Sequence, residues 1–196
     1  MKQIYLIRHG IAQHNILFEK IGKSAFYDKD HYDTKLVEKG VESSINLGQT
    51  WKELTDIDLV LTSSLSRCLE TSTNMCLGLT IPIIALDELK EYPQGEHTCN
   101  KRSNKKNIIE TYSNINFENI INEEDTLWRA DREETLDELG ERIKNIKDLL
   151  INIKEENIVI ISHNSFINRF MGRKIGLIEN GDEELLHCHP YKYILK

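Results

Sequence analysis

The sequence predicts an α/β fold in which helices cover both faces of a mostly parallel central sheet, giving a three-layer α/β/α sandwich. Two patterns indicate this arrangement. Short apolar runs that end in polar residues or glycine alternate with longer segments in which apolar residues recur every three or four positions. Because the short runs are apolar at successive positions, they are typical of strands buried on both faces.

Four apolar runs are predicted to form buried strands, and a fifth strand is predicted at an edge of the sheet. The third run contains Pro82, which the start of a strand tolerates. The predicted strands cover residues 4–7, 57–61, 81–86, 157–161 and 191–195.

Helices are predicted between these strands. Ser64 is expected to cap a helix over residues 65–77, and another helix is expected after His163, ending near Gly172 or Gly176. Two longer helices are predicted from their apolar spacing. Their inward faces are Val37, Val41, Ile45, Gly48, Trp51 and Leu54 in one, and Leu136, Leu139, Ile143, Ile146, Leu149 and Ile153 in the other.

The 196 residues are predicted to form a single domain, since no linker divides the chain. Residues 92–132 break the alternating pattern, because they are polar, rich in asparagine and weakly periodic. We interpret them as an insertion that lies over one end of the sheet and the site there. Short helices are expected within it at residues 108–112 and 117–121.

Composition excludes several classes of protein. The net charge of −7 argues against broad nucleic-acid binding, and no apolar run approaches the roughly 18–20 residues of a membrane span. The first residues lack the pattern of a secretory signal, so a cytoplasmic location and reduced cysteines are expected. His187 and His189 flank Cys188, but without further ligands this spacing does not favour a metal site, and no metal is predicted.

Polar residues follow three of the predicted strands at the point where each strand ends. Arg8 and His9 follow the first strand, Ser63, Ser64 and Arg67 the second, and His163 the fourth. The carboxyl ends of parallel strands meet at one edge of the sheet, where ligands bind in open α/β folds. Two arginines and two histidines at that edge predict a local anion site in an acidic protein.

These residues resemble the motifs of the histidine phosphatase superfamily, which includes the cofactor-dependent phosphoglycerate mutases. The segment from Leu6 to Gly10, followed by Asn15, is similar to the RHG signature of that superfamily. Further similar segments follow in the same order along most of the chain. They are Ser63-Ser64-Leu65-Ser66-Arg67, Leu89-Lys90-Glu91, Glu134-Thr135 with Arg142, and Ile161-Ser162-His163.

The sequence also departs from the family pattern. Ile11-Ala12 stand where many members have Glu-Thr, and Asn164 stands where glycine is frequent. The pair His14-Asn15 resembles a fungal and plant-like branch, and His14 is expected near the pocket mouth. The chain is shorter than typical phosphoglycerate mutases, which favours hydrolysis over a mutase reaction.

The resemblance implies a phosphoglycerate mutase-like fold and a reaction through a phosphohistidine. His9 would attack phosphorus, and Arg8, Arg67 and His163 would hold the phosphoryl oxygens. Asn15 would donate a further hydrogen bond to the phosphate. Fixed cations would neutralise the phosphoryl charge, so neither metal nor cofactor is expected.

Glu91 is the expected proton donor to the leaving oxygen and then the base that activates water. Glu88 lies three residues earlier and stays an alternative, although the Leu89-Lys90-Glu91 spacing favours Glu91. A general acid must be protonated near the working pH, so Tyr92 and Pro93 are expected to desolvate Glu91.

The basic run over residues 101–106 has two interpretations. It is either a solvated loop or an arm that folds over the site, in which Lys101 and Arg102 bind a second phosphate or carboxylate of the substrate. Specificity is expected to depend on the insertion that contains this run.

The sequence therefore predicts a metal-independent phosphatase that acts on a small phosphorylated metabolite. A phosphoglycerate mutase-type phosphotransferase is the first alternative. A non-catalytic module that binds phosphorylated ligands is the second, although such a module needs neither His9 nor an acid. The expected partner is a small phosphorylated substrate, with no nucleic acid or membrane, and the sequence leaves the oligomeric state open.

Overall fold

A five-stranded sheet in the order β3-β2-β4-β1-β5 forms the centre of the computed structural model, which describes residues 1–175 and 184–195. The strands are β1 (Lys2–Arg8), β2 (Leu59–Ser63), β3 (Ile83–Leu86), β4 (Asn157–Ser162) and β5 (Pro190–Leu195). The first four are mutually parallel, and β5 pairs antiparallel with β1. All five predicted strands are confirmed, and β4 lies in the middle of the sheet.

The helices lie in two layers, one on each face of the sheet, as the sequence predicts. They are α1 (Gln13–Ile21), α2 (Glu38–Thr50), α3 (Ser66–Met75), α4 (Lys105–Thr111), α5 (Leu136–Asn152) and α6 (Asn164–Phe170). One core cluster joins α2, α3 and the insertion to one sheet face, and the other joins α5 and α6 to the opposite face. No helix among the residues described is long and apolar enough to cross a membrane.

The buried stripe of α2 differs from the predicted one. Gly40, Ser44 and Leu47 are buried, whereas Val41 and Ile45 are only partly buried. The reason is close backbone contact, because a Cβ atom at Gly40 would lie 2.1 Å from the carbonyl oxygen of Ile11. Small residues, rather than the branched ones, therefore face the neighbouring elements.

The start of α3 also differs from the prediction, since Ser64 does not cap it. The Ser64 hydroxyl donates instead to Asp87, and the carboxylate of Asp33 accepts hydrogen bonds from the main-chain N–H and the hydroxyl of Ser66, at 2.8 and 2.9 Å. The cap of α3 is therefore supplied by Asp33, which lies 33 positions from Ser66, and not by the adjacent Ser64.

The prediction of α5 is confirmed together with its cap. Thr135 accepts from the main chain of Glu138, and the Glu138 side chain accepts in return from Thr135. The predicted inward residue Leu136 is exposed, and Leu150 is buried in the core instead. The helix after His163 also forms, as α6, and Gly176 lies outside the described residues.

The insertion packs differently along its length. Helix α4 confirms the first predicted short helix, but residues 117–121 form turns, because the main chain of Asn116 pairs with Ile83 and Ala85 at the edge of the sheet. Five apolar residues of the insertion therefore join the core on one sheet face, namely Ile108, Tyr112, Ile115, Phe117 and Ile120. At the carboxyl ends of the strands, Cys99 and Asn100 of the insertion contact Arg67.

Candidate active site

The carboxyl ends of β2, β4 and β1 are adjacent in the sheet, and they bring the four predicted anion-site residues together. Arg8 and His9 follow from β1, Arg67 lies in the first turn of α3, and His163 ends β4. All four side chains are buried. The rings of His9 and His163 lie with their centroids 5.1 Å apart, so both histidines belong to one site.

His9 is held in one tautomer by its own loop. Its Nδ1 lies 2.7 Å from the carbonyl oxygen of Gly10, which can only accept, so Nδ1 carries the proton and Nε2 keeps its lone pair. No described residue bonds to Nε2. Burial, followed by the charge of Arg67, lowers the pKa of His9 well below its ordinary value. The ring is therefore neutral, which is the state that a nucleophilic imidazole requires.

His163 is fixed from both sides. Its Nδ1 accepts from Nε of Arg67 at 3.3 Å, so Nε2 carries the proton and donates to the Ser63 hydroxyl at 2.8 Å. Burial and the charge of Arg67 hold its pKa well below the ordinary value as well. His163 is thus a neutral hydrogen-bonding group beside His9.

The two arginines are anchored by different parts of the chain. The insertion holds Arg67, whose two terminal nitrogens donate to the Cys99 carbonyl at 2.7 Å and to Asn100 Oδ1 at 2.9 Å. One terminal nitrogen of Arg8 donates to Glu184 at 2.8 Å and to the Leu185 carbonyl at 2.7 Å. The Nε of Arg8 is buried without a partner among the described residues, so this N–H is available to an anion.

Glu91 lies against the start of α6, directly after His163. Its carboxylate accepts from the main-chain N–H groups of Tyr92 at 2.8 Å, Phe166 at 3.2 Å and Ser165 at 3.3 Å. Burial raises the pKa of Glu91, as the sequence predicts, although these hydrogen bonds oppose the shift. Glu88, the alternative acid, contributes its main-chain carbonyl to Arg142.

Arg142 supports the loop that carries Glu91. It forms a bidentate ion pair with the Glu134 carboxylate, with N–O distances of 2.6 and 2.8 Å. It also donates to the main-chain carbonyls of Glu88 and Lys90. These contacts give the motif residues Glu134 and Arg142 a positioning role, since they hold the loop from behind.

Asn15 and His14 are placed differently from each other. The side-chain carbonyl of Asn15 accepts from the main-chain N–H of Ala12, and its amide donates one of its two N–H groups to Nε2 of His14 at 3.2 Å. His14 is buried, with its ring 5.7 Å from that of His9. The expectation that His14 lies near the site is confirmed.

Lys101 and Arg102 do not form the arm that one interpretation of the basic run suggests. All five N–H donors of Arg102 are taken by Asp87 and by four main-chain carbonyls, so its side chain is structural. The ammonium of Lys101 lies over the rings of Trp128 and Tyr32, at 4.9 and 5.7 Å from their centroids. The structure therefore does not place either cation against the His9 site.

His187 is the site residue that sequence reasoning missed. Its Nδ1 donates to the main-chain carbonyl of His9 at 2.5 Å, and the two ring centroids lie 5.4 Å apart. Burial lowers its pKa to about 4. The alternation of His187 and His189 suggests one shared face, but Cys188 has a φ of +51°, which turns the chain so that His189 is exposed. No local signal in the sequence indicates that turn.

The described residues contain no group of three or more histidine, cysteine, aspartate or glutamate side chains arranged to hold a metal ion. All four cysteines are free thiols, as expected from their spacing. The Sγ of Cys68 lies 3.4 Å from Nε2 of His163, and burial raises its pKa above the ordinary thiol value.

A buried pair of histidines and arginines at the carboxyl edge of a parallel sheet defines an anion-binding α/β/α protein. The chain belongs to the histidine phosphatase superfamily (branch 1), whose sequence profile matches residues 4–187. It is 27% identical over 222 aligned positions to phosphoglycerate mutase-like protein 1 of Arabidopsis thaliana, covering 96% of this chain and 74% of that protein.

Solved structures share the fold at lower identity. Bacillus stearothermophilus YhfR superposes with a TM-score of 0.66 at 18% identity, covering 98% of this chain and 90% of that one. The alpha-ribazole phosphatase of Shigella flexneri superposes with a TM-score of 0.58 at 23% identity, covering 88% and 81%. These likenesses establish the phosphoglycerate mutase-like fold.

Proposed function

We propose that this protein is a metal-independent phosphatase that hydrolyses a small phosphorylated metabolite through a phosphohistidine on His9. The observation that carries the proposal is the state of His9, which is neutral, fixed through Nδ1 and left with a free Nε2 lone pair. An imidazole in this state can attack phosphorus and divide one difficult displacement into two easier ones.

The surrounding groups fit the charge that develops during transfer. The buried Arg8 has an unpartnered Nε–H, and Arg67 contributes a second fixed positive charge beside the two histidines. Groups of this kind stabilise the equatorial oxygens of a transferring phosphoryl group, and here the arginines supply the neutralising charge. Glu91, with its raised pKa, would protonate the leaving oxygen and then activate water.

A mutase reaction is the second candidate, and the name of the Arabidopsis relative favours it. In that reaction the phosphohistidine would return its phosphoryl group to an acceptor hydroxyl rather than to water. The lifetime of the phosphoenzyme and its acceptor distinguish the two reactions.

The testing experiment measures hydrolysis of p-nitrophenyl phosphate in EDTA by wild type, His9→Ala and the matched control His189→Ala, whose histidine is exposed. We expect wild type and His189→Ala to be active, and His9→Ala to lose roughly 10³-fold or more of kcat. Acid-labile, alkali-stable phosphate should be trapped on wild type and should be absent from His9→Ala.

Four outcomes would contradict the proposal. Activity that survives His9→Ala shows that His9 is not the nucleophile, and activity that EDTA abolishes shows dependence on a metal. A trapped phosphoenzyme that reacts with a phosphoglycerate but not with water identifies the mutase. Binding of phosphate without any turnover identifies the non-catalytic module.

A further inference from the structure

A short segment near the end of the chain crosses the nucleophile and is held there by four contacts. We name residues 184–188 the strap. The Glu184 carboxylate and the main-chain carbonyl of Leu185 accept hydrogen bonds from the Arg8 side chain. The main-chain N–H of Leu185 donates to the Asn164 side chain, and the main-chain N–H of Cys188 donates to the carbonyl of Arg8. The strap therefore joins the end of β1 to the start of α6.

His187 extends from the strap to the peptide unit that links His9 and Gly10. It donates from Nδ1 to the carbonyl oxygen of that unit at 2.5 Å. The N–H of the same unit, from Gly10, donates to the Thr71 hydroxyl at 3.0 Å. Because both polar groups of the unit are bonded to side chains on different elements, the plane of the peptide is fixed.

The orientation of that plane bears directly on the His9 ring. The next carbonyl along the chain, that of Gly10, accepts from Nδ1 of His9 at 2.7 Å and thereby sets both the tautomer and the direction of Nε2. Rotation of the 9–10 peptide unit would move Gly10, and with it the group that orients the ring. A Cβ atom at Gly10 would lie 2.7 Å from the carbonyl oxygen of Gly40, so little room exists for compensation there.

We propose that His187 is a positioning residue for the nucleophile: its N–H donor, together with the Thr71 hydroxyl, fixes the 9–10 peptide unit so that Nε2 of His9 is unprotonated and aimed for attack. The local backbone is consistent with this role, since Cys188 adopts a left-handed φ of +51° that side chains rarely accept. The inference rests on the proposed function of His9.

Two substitutions of His187 separate its donor from its bulk. The amide nitrogen of asparagine lies close to the position of Nδ1, so His187→Asn retains a donor, whereas His187→Leu fills the space without one. We expect His187→Leu to lower kcat roughly 10–100-fold with KM changed less than about threefold. His187→Asn should recover most of that loss, and the control His189→Leu should match wild type.

The partner hydroxyl gives a parallel test through a different element. Thr71→Val removes the acceptor for the N–H of Gly10, and Thr71→Ser retains it. We expect Thr71→Val to lower kcat with the same KM pattern. The double variant His187→Leu/Thr71→Val should lose less than the product of the two single effects, because both act on one peptide unit.

A spectroscopic measurement distinguishes failure of this inference from failure of the proposed function. Nitrogen-15 NMR of the His9 ring, assigned by comparison with His9→Ala, should show protonated Nδ1 in wild type and a mixture of tautomers in His187→Leu, independently of catalysis. Activity that survives His9→Ala refutes the proposed function while the NMR result still tests the positioning. An unchanged His9 tautomer together with equal kcat values for His187→Leu and wild type overturns the inference, as does equal loss in His187→Leu and His187→Asn.

Discussion

Two opposing influences act on the carboxyl group of Glu91. Burial raises its pKa, whereas the main-chain hydrogen bonds and the charge of Arg67 lower it by less. The net pKa lies above the ordinary value of 4.5, so the protonated form persists to higher pH. A residue in this state can donate a proton to a leaving oxygen that would otherwise depart as an alkoxide.

Glu91→Gln is expected to lower kcat for an alkyl phosphate by roughly 10²–10⁴-fold. The loss in the first step, formation of the phosphoenzyme, should be much smaller for p-nitrophenyl phosphate, because nitrophenolate leaves without a proton. Pre-steady-state release of nitrophenolate measures that step, whereas hydrolysis of the phosphoenzyme needs the Glu91 base with either substrate. Wild-type kcat for the alkyl substrate should fall as pH rises through the raised pKa of Glu91, since only the protonated acid can donate. Steady-state kinetics between pH 5 and 9 on both substrates measures this difference.

Glu88→Gln is the matched control, because Glu88 uses its main-chain carbonyl to bind Arg142. It should retain kcat on both substrates and keep the pH profile of wild type. If Glu88→Gln loses the alkyl activity and Glu91→Gln keeps it, the acid is Glu88.

At the scale of elements, a buried ion pair attaches the insertion to the loop that carries Glu91, the proposed acid. The ammonium of Lys90 lies 2.6 Å from both oxygens of Asp125, and neither side chain is exposed. Asp125 also accepts from the main chain of Arg102, Leu127 and Trp128. Because Lys90 immediately precedes Glu91, the same pair fixes both the fold of the insertion and the start of the acid loop.

Asp125→Asn is expected to lower the free energy of unfolding by about 3–5 kcal/mol, because it leaves the Lys90 charge buried without a partner. Chemical denaturation monitored by tryptophan fluorescence measures this change. Glu110→Gln is the control, since it removes the exposed pair between Lys106 and Glu110 at 3.9 Å. That change should cost less than about 1 kcal/mol. A loss below this level for Asp125→Asn would show that water reaches Lys90.

The elements that the sequence predicts best are those whose signals lie within them. Strand β4 is apolar from Ile158 to Ile161, and α5 carries both its apolar stripe and its own capping box. The edge that holds His9 and His163 is likewise predictable, because each histidine directly follows a strand and parallel strands end together.

The contacts that the sequence does not predict join residues far apart in the chain. His187 lies 178 residues from the carbonyl that it binds, and its approach depends on the left-handed turn at Cys188. In the sequence, the basic run around Arg102 resembles a phosphate-binding segment. In the structure, main-chain carbonyl oxygens of the insertion surround its guanidinium group. Side-chain type alone does not distinguish these environments.

At the scale of the whole molecule, the protein carries a net charge of −7, yet its candidate site contains two buried arginines and four neutral histidines. The site is therefore a local positive region, and keeping its histidines neutral limits the repulsion among them. This arrangement lowers the free energy of unfolding at acidic pH, because the unfolded chain binds protons that the folded protein excludes. The histidines whose pKa burial lowers are His9, His14, His97, His163 and His187.

We expect the free energy of unfolding to fall as pH decreases below about 6.5, the ordinary histidine value. A group whose folded pKa is depressed favours the unfolded state once the pH falls below its unfolded pKa, so all five histidines act in this direction. Burial raises the pKa of Glu70 and Glu91, and these two groups oppose the trend. Each proton that the unfolded chain takes up in excess of the folded protein adds roughly 1.4 kcal/mol per pH unit to this slope.

Urea unfolding at intervals between pH 5 and 8 measures this slope, in buffers without phosphate because a bound anion would stabilise the folded form. His187→Asn should reduce the slope by up to one proton, since it removes a group whose pKa lies at about 4 in the folded protein. Stability that stays constant from pH 7.5 to 5.5 would mean that the folded protein takes up as many protons as the unfolded chain over this range, so that burial does not hold the histidines of the site neutral.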